Sequence, residues 1–400
     1  MSEYLRLKVK SNMLKDRRIA LCVTGSVAAI NAPKLARELR RHGADVVCYM
    51  TESATKYVLN PHVMEWATGN KVVTELTGGV EHLIDFDLVV VYPATYNTIC
   101  KIANGIADNP VTTLCASTDP SKIVIAPAMS IKLYSNPILK RNIEVLKSYG
   151  VRFIEPIIEE GAAKIADIDT TVNYIIRFLN RSGLRDSKVL ILAGPTRYDI
   201  DAVRYISSKS TGLLGYYLAM EAFWRGCDLK VIYGPGEIEY PDIFNVERVY
   251  TTEEMLDKTI MELSKIKYDI AIFVAAILDY KPSKYIDAKI KSGGRISMEL
   301  IPTPKVIDIV RSKYPDLFIV GFKLEYKIDE DKLIEEARRR LNEIKPGIII
   351  ANDISKITRD RHRACIIYDG GVKIVDSSKD IVAREVFNII EEAYLRFKRN

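Results

Sequence analysis

The sequence predicts an α/β protein built as two doubly wound, Rossmann-like, three-layer domains in tandem. Three observations carry this. Two segments open alike: Arg17–Ser26 (RRIALCVTGS) and Lys188–Arg197 (KVLILAGPTR) each run as a short apolar stretch into a small-residue turn ahead of a helical segment. That is how a doubly wound domain begins, with its ligand at the carboxyl end of the first strand. Strand-like and amphipathic stretches alternate after each opening. The strand-like stretches are continuously apolar and β-branched, as in parallel sheet covered on both faces. The two turns differ, Gly25-Ser26 against Gly194-Pro195-Thr196, so different ligands are expected.

In order along the first half, strands are expected at Ile19–Thr24, Asp45–Met50, Leu88–Tyr92, Ile123–Ala126 and Val151–Ile154. Helices are expected at Pro33–His42, Pro137–Tyr149 and, closing the domain, Thr170–Leu179. Asn180–Lys188 is polar, with one glycine, and reads as the boundary. In the second half, strands are expected at Val189–Ala193, Leu229–Tyr233, Ile270–Val274, Phe318–Gly321 and Ile348–Ala351. Helices are expected at Gly212–Arg225, Glu253–Ile266, Glu330–Ile344 and Asp380–Lys398. Two β-runs flank Asp369-Gly370-Gly371, a hairpin signal. The expected division is a basic arm at 1–18, a first domain at 19–181 and a second at 187–400.

The chain has 400 residues, 48% of them hydrophobic and 28% charged, enough for buried cores under a solvated surface. No apolar run reaches the roughly 20 residues of a membrane span, and the basic start lacks the apolar block of a secretory signal. A cytoplasmic chain with no membrane partner is expected. The net charge of +6 is mild and mixed with acidic residues. It argues against nucleic acid as a partner, while suiting phosphorylated substrates. Six cysteines form no CxxC pair and four histidines no HxxxH spacing, so buried thiols rather than a disulfide or metal framework are expected.

Chemistry in the first half gathers on one edge. Gly25 and Ser26 follow the first strand and lead into a helix, a place where backbone N–H groups and a hydroxyl hold phosphate. The turn is not GxGxxG, which disfavours a nicotinamide dinucleotide. The Leu88 strand ends in PATYNT and the Ile123 strand in PAMS, so three strands end in small or hydroxyl-bearing turns fit for a planar cofactor with polar rim atoms. His82 lies just before the Leu88 strand, and a lone histidine is more often structural than catalytic.

TGSVAA, TESAT, EHLIDFDLVVVYPATYNT, GIADN and PAM, in this order from Ile19 to about Asp169, resemble the flavin-containing cysteine decarboxylases. The resemblance implies a flavodoxin-like flavoprotein domain with FMN contacted by Gly25, Ser26, Thr51, Thr95, Asn97 and Met129. It implies His82 as catalytic base in oxidising a cysteinyl group, after which carbon dioxide leaves readily. Ser130 stands where the family has an asparagine that binds the substrate carboxylate. Glu159–Asp169, which matches the family's flap, has no cysteine; Ile165 lies in that stretch, and the missing thiol has no obvious replacement, although Lys164 could supply a proton.

The second half carries AGPTRYDIDAVRYISSKSTGLLG (Ala193–Gly215), whose hydroxyls and free backbone donors ahead of a helix suit phosphates. FVAAILDYKPSK, KIKSGG, GFKLEY and ANDIS bring Asp279, Lys289, Lys291 and Asp353 toward the carboxyl edge. Carboxylates there could hold Mg²⁺, with Asp279 as metal ligand, and lysines could stabilise the charge of nucleotidyl transfer. From Lys188 onward these motifs resemble phosphopantothenate–cysteine ligases. The resemblance implies nucleotide contacts from Gly194, Pro195, Thr196, Asp279, Lys289, Thr303, Pro304, Lys305, Val306, Phe322 and Arg340. Lys289 would promote attack of the phosphopantothenate carboxylate on the α-phosphate of CTP. Ser208 replaces the family asparagine that covers the acyl-nucleotide, and Leu213 its lysine, with Lys209 nearby.

Decarboxylase-like then ligase-like halves match a bifunctional coenzyme A biosynthesis family. That match implies a homo-oligomeric enzyme taking 4′-phosphopantothenate, L-cysteine and CTP, with FMN and Mg²⁺. Its assembly would combine flavin-domain trimers and ligase-domain dimers, as in a dodecamer. Two other readings are an active ligase with a regulatory flavin domain, and a nicotinamide oxidoreductase.

Overall fold

The computed structural model describes residues 7–358 and 361–399. The chain divides into two compact units between Leu179 and Asn180.

The first unit holds β1 (Arg18–Val23), α1 (Ala32–Arg41), β2 (Asp45–Met50), α2 (Glu52–Tyr57), α3 (Pro61–Thr68), β3 (Leu88–Ala94), α4 (Tyr96–Ala103), α5 (Pro110–Ser117) and β4 (Ile123–Pro127). It continues with β5 (Met129–Ser130), α6 (Ile131–Tyr134), α7 (Pro137–Ser148), β6 (Arg152–Phe153), β7 (Ile157–Glu159), β8 (Ala162–Lys164) and α8 (Ile168–Leu179). Among the described residues its main sheet has the order β2-β1-β3-β4-β6, parallel throughout. The order reverses between β1 and β3. In an open α/β sheet that reversal leaves a crevice at the strands' carboxyl ends, where sheets of this strand order take their ligands. All of β3 is buried, as its unbroken apolar run requires. Ala20, Cys22, Val89 and Val91 pack with Val111 and Leu114 of α5 and Leu139 of α7.

The second unit holds β9 (Lys188–Ala193), β10 (Arg197–Asp199), β11 (Tyr205–Ser207), α9 (Leu213–Trp224), β12 (Asp228–Tyr233), β13 (Asn245–Arg248), α10 (Thr252–Lys265) and β14 (Ile270–Phe273). Then come β15 (Tyr280–Pro282), β16 (Leu300–Pro302), α11 (Val306–Lys313), β17 (Phe318–Glu325), α12 (Glu330–Ile344), β18 (Gly347–Asp353), β19 (His362–Tyr368), β20 (Gly371–Ser377) and α13 (Lys379–Arg399). The sheet runs β13-β12-β9-β14-β17-β18-β19-β20, parallel through β18 and closed by the antiparallel hairpin β19–β20 at Asp369-Gly370. Here the reversal falls between β9 and β14. One face buries Leu190, Ile232, Ala271 and Ile319 under Met255 of α10, Val310 of α11 and Leu333 and Leu341 of α12; α13 packs on α9.

Two segments pack more closely than their polar composition suggests. Residues 1–6 of the arm lie outside the described residues, but the part after them is not free. Leu14 is fully buried, its N–H donates to the carbonyl of His42, and Ser11 Oγ bonds His42 Nδ1 at 2.7 Å. The polar stretch 180–188, expected as the boundary, begins the second unit and packs within it. Leu184 is fully buried, its carbonyl accepts from the Cys227 thiol, and the Gly183 N–H donates to Glu391 at 2.6 Å. Polar composition hid one apolar anchor.

Candidate functional sites

In the first unit the switch-point crevice is a cleft of about 650 Å³, within the usual range for small-molecule sites. Thr24 fixes its floor. Fully buried, it donates from Oγ1 to the Pro93 carbonyl at 2.7 Å and accepts from the Thr95 N–H at 3.1 Å, stitching the ends of β1 and β3. Gly25 follows, where a Cβ would stand 2.6 Å from the Cβ of Ser53; no side chain fits between the first turn and α2. Ser26, Thr51, Thr95 and Asn109 cap the helices that begin here, each accepting an N–H from the following turn.

Gly25, Ser26, Thr51, Thr95, Asn97 and Met129 all line this cleft, together with Ser53, Lys101, Asp108 and Asn109. Hydroxyl and amide donors, one lysine and the N-termini of α4 and α5 make a donor set that fits a flavin phosphate and ring rim. Sequence reasoning missed Lys101, Asp108 and Asn109, although Asn109-Pro110 is a readable cap followed by proline at the first helical position. Lys101 pairs with Asp108 at 2.5 Å across the rim.

His82 and Ser130 are not among the residues lining the cleft. The carbonyl of His82 accepts from Ser117 Oγ at 2.6 Å, at the last residue of α5. Asn109, the N-cap of α5, lines the cleft, so the His82 carbonyl lies by the opposite end of that helix, about 12 Å along it at ~1.5 Å per residue. Ser130 pairs with Ala162 of the β7–β8 hairpin, so the flap lies beside the PAMS turn. Lys164 bonds Glu159 at 3.2 Å and also Glu160. Those bonds, Glu160 first, raise its pKa and make it a poorer acid, against its expected use as proton source.

In the second unit the Gly194-Pro195-Thr196 turn is wholly buried. Gly194 and Gly212, at φ of 78° and 85°, both face the ring of Tyr233, where a Cβ would approach to 2.9 and 2.5 Å. Thr196 Oγ1 accepts from the Leu278 N–H at 2.9 Å, and the Thr196 N–H donates to the Ala276 carbonyl at 3.3 Å. These three residues were expected to contact nucleotide. In this structure the Thr196 backbone and hydroxyl and the Gly194 carbonyl bond residues 276 and 278 beyond β14, and the Thr196 hydroxyl also meets Thr252 Oγ1 at 3.3 Å, so the turn forms the site's floor.

Above that floor, the Thr303 N–H donates to the Asp279 carbonyl at 2.9 Å, and Lys305 Nζ meets Asp279 Oδ1 at 2.6 Å. Asp279 thus joins the TPKV segment that starts α11, with Pro304 between and Val306 buried. Its carboxylate is committed to a lysine, and no group of three metal-ligating side chains occurs among the described residues. Asp279, expected as a Mg²⁺ ligand, is here the ion-pair partner of Lys305 at an exposed edge. Arg340 of α12 bonds Asp308 and, at 2.7 Å, Glu343, while Phe322 is half-buried on β17. Lys289 lies in an exposed loop. Ser208 Oγ is buried without a protein partner, an orphaned hydroxyl beside a ligand-type loop. Buried Asp353 accepts from Lys327 and Ser355 N–H groups through Oδ1.

The fold and sites define a two-unit enzyme: a flavoprotein-type domain followed by a doubly wound domain with a nucleotide-type edge. Residues 7–180 match the Flavoprotein family model, and residues 184–394 match that of the DNA/pantothenate metabolism flavoprotein C-terminal domain. The chain is 42% identical to the coenzyme A biosynthesis bifunctional protein CoaBC of Thermococcus kodakarensis, across 96% of this chain and 97% of that one. It is 41% identical to CoaBC of Methanocaldococcus jannaschii, across 87% and 86%. It is also similar to the DNA/pantothenate metabolism flavoprotein of Streptococcus pneumoniae, at 27% identity and a TM-score of 0.47, over 52% of this chain and 99% of that one. The chain belongs to the family of bifunctional coenzyme A biosynthesis enzymes. Neither the regulatory-domain reading nor the nicotinamide reading is favoured by these matches.

Proposed function

We propose that the second unit joins 4′-phosphopantothenate to L-cysteine using CTP, and that the first unit, carrying FMN, decarboxylates 4′-phosphopantothenoylcysteine to 4′-phosphopantetheine. The observation that carries this reading is the pairing of a hydroxyl-rimmed cleft at the β1/β3 switch point with a Lys/Ser-bearing edge at the β9/β14 switch point.

In the ligase, a carboxylate oxygen of phosphopantothenate attacks the α-phosphorus of CTP. The bond to the β-phosphate breaks and pyrophosphate leaves. The amine of cysteine then attacks the acyl carbon, CMP leaves and the amine proton goes to solvent. Lys289 stabilises charge developing on the α-phosphate. The orphaned Ser208 hydroxyl holds the acyl-nucleotide, and the Asp279–Lys305 pair borders the nucleotide. A divalent cation would travel with the nucleotide phosphates.

In the decarboxylase, bound FMN would supply reversible two-electron chemistry at the cysteinyl group. Ser26, Thr95, Asn97, Lys101 and Asn109, which line the cleft, would hold its phosphate and ring rim. His82 takes the cysteinyl proton, and Ser130 donates to the substrate carboxylate. Within one chain His82 is separated from the cleft by the length of α5, so it serves a cleft on another copy, which the proposed trimer supplies. The proposed assembly is a homo-oligomer of such trimers and ligase-domain dimers.

The test is direct. Purified protein is expected to show a flavin absorption spectrum with FMN released on denaturation. Mixing His82→Asn with Asn97→Asp chains, each inactive, is expected to restore carbon dioxide release. Protein unable to take up FMN contradicts the flavin assignment, and absent complementation contradicts the shared site.

A further inference from the structure

The loop carrying Lys289 is tied to the β10–β11 hairpin directly beside that lysine. Residues 284–289 and 291–300 are all exposed, and only Ile290 between them is half-buried. The N–H of Ile290 donates to Asp201 Oδ2 at 3.1 Å, and its carbonyl accepts from Arg204 Nη2 at 2.7 Å. Ile290 is therefore gripped through both its backbone groups, and the residues on either side of it are Lys289 and Lys291. A second tie to the same hairpin lies four residues earlier, from the Ile286 N–H to the Ile200 carbonyl at 3.1 Å.

The gripping pair is itself rigid. Asp201 is 2% exposed and sits in the turn joining β10 to β11. Its Oδ1 accepts the N–H groups of Val203 at 2.9 Å and Arg204 at 2.7 Å. Its Oδ2 accepts Arg204 Nε at 3.0 Å and Nη2 at 2.5 Å. The Arg204 guanidinium, backed by these N–H groups, holds the carboxyl far below the usual carboxylate range. The same hairpin starts directly after the β9 turn and hands over, at Ser207, to Ser208.

We propose that Asp201 is a positioning residue of the ligase: with Arg204 it clamps the Ile290 backbone and so sets Lys289 in register with the Ser208 loop. This rests on the reading of Lys289 as the activating lysine. An exposed loop left unclamped must be ordered in each catalytic cycle, at a cost in conformational entropy for every residue fixed. The clamp keeps that ordering in the fold, as preorganised sites require.

The experiment uses the full-length chain and follows phosphopantothenoyl-CMP by mass in single turnovers without cysteine. Asp201→Asn keeps the shape and removes the charge. It is expected to slow this step about tenfold at saturating CTP while KM for CTP moves less than about threefold, the pattern of a lost transition-state interaction. Decarboxylation of supplied phosphopantothenoylcysteine, which uses the other unit, is expected to be unchanged. Ile290→Pro leaves the Asp201 turn intact, deletes the gripped N–H, and is expected to reproduce the loss. Placed on Lys289→Gln, Asp201→Asn is expected to add less than about twofold, because both act through one group. Wild-type rates in Asp201→Asn and Ile290→Pro, or losses that multiply on the Lys289→Gln background, overturn the proposal. If Lys289→Gln alone leaves acyl-nucleotide formation intact, the Lys289 reading falls and the proposal falls with it.

Discussion

Single residues set the limits of each site. Gly25 leaves no room for a methyl group against Ser53, so Gly25→Ala must push α2 away from the first turn. We expect it to fold yet lose FMN on gel filtration, read as the flavin-to-protein absorbance ratio; full retention would mean the turn does not touch the flavin. His362 gives a pH prediction. It is 5% exposed, its Nε2 accepts from Asn352 at 2.9 Å, and burial, aided by Lys379, lowers its pKa from 6.5 to about 4. The folded state keeps this histidine neutral while the unfolded state takes up a proton below about 6.5. Stability is therefore lost as pH falls from about 6.5 toward about 4. His362→Gln, which keeps an acceptor, should remove roughly 2 kcal/mol of the acid-dependent loss between about pH 7 and about pH 4.5, measured by urea unfolding. An unchanged acid slope would contradict the assignment.

Elements place those residues. The β1 and β3 ends are joined by Thr24, which bridges the Pro93 carbonyl and the Thr95 N–H. Thr24→Val leaves both groups buried and unsatisfied. It should cost about 2 kcal/mol in denaturant unfolding and weaken FMN binding through the displaced α4 cap. A stability change without loss of flavin affinity would separate the stitch from the site. At this scale the sequence was most legible for apolar runs. Asp45–Met50 and Glu330–Ile344 match to the residue because burial on a fixed period leaves no freedom. The β7–β8 and β10–β11 hairpins were not legible, since three-residue strands are too short to carry a period. Thr51 and Thr95 are named through the family resemblance alone; in the structure both cap helices and line the cleft. Asp201 could not be read from the sequence, because its role arises from pairing with Ile290, a partner 89 residues away. The position of His82 depends on how the preceding segment crosses α5, which local pattern does not encode.

For the whole molecule, the division between Leu179 and Asn180 makes the short segment 180–187 part of the second unit. A fragment starting at Asn180 should be more stable than one starting at Ser187 by at least about 2 kcal/mol, the usual cost of losing a buried leucine such as Leu184. Equal melting of the two fragments would show that the segment is a passive linker. Above all, one chain is held to ligate and then decarboxylate. That is tested by mass analysis of products from phosphopantothenate, cysteine, Mg²⁺ and either CTP or ATP. The expected products with CTP are 4′-phosphopantetheine, carbon dioxide, pyrophosphate and CMP, with far less product from ATP. Accumulation of 4′-phosphopantothenoylcysteine without carbon dioxide, or no condensation with either nucleotide, would contradict it.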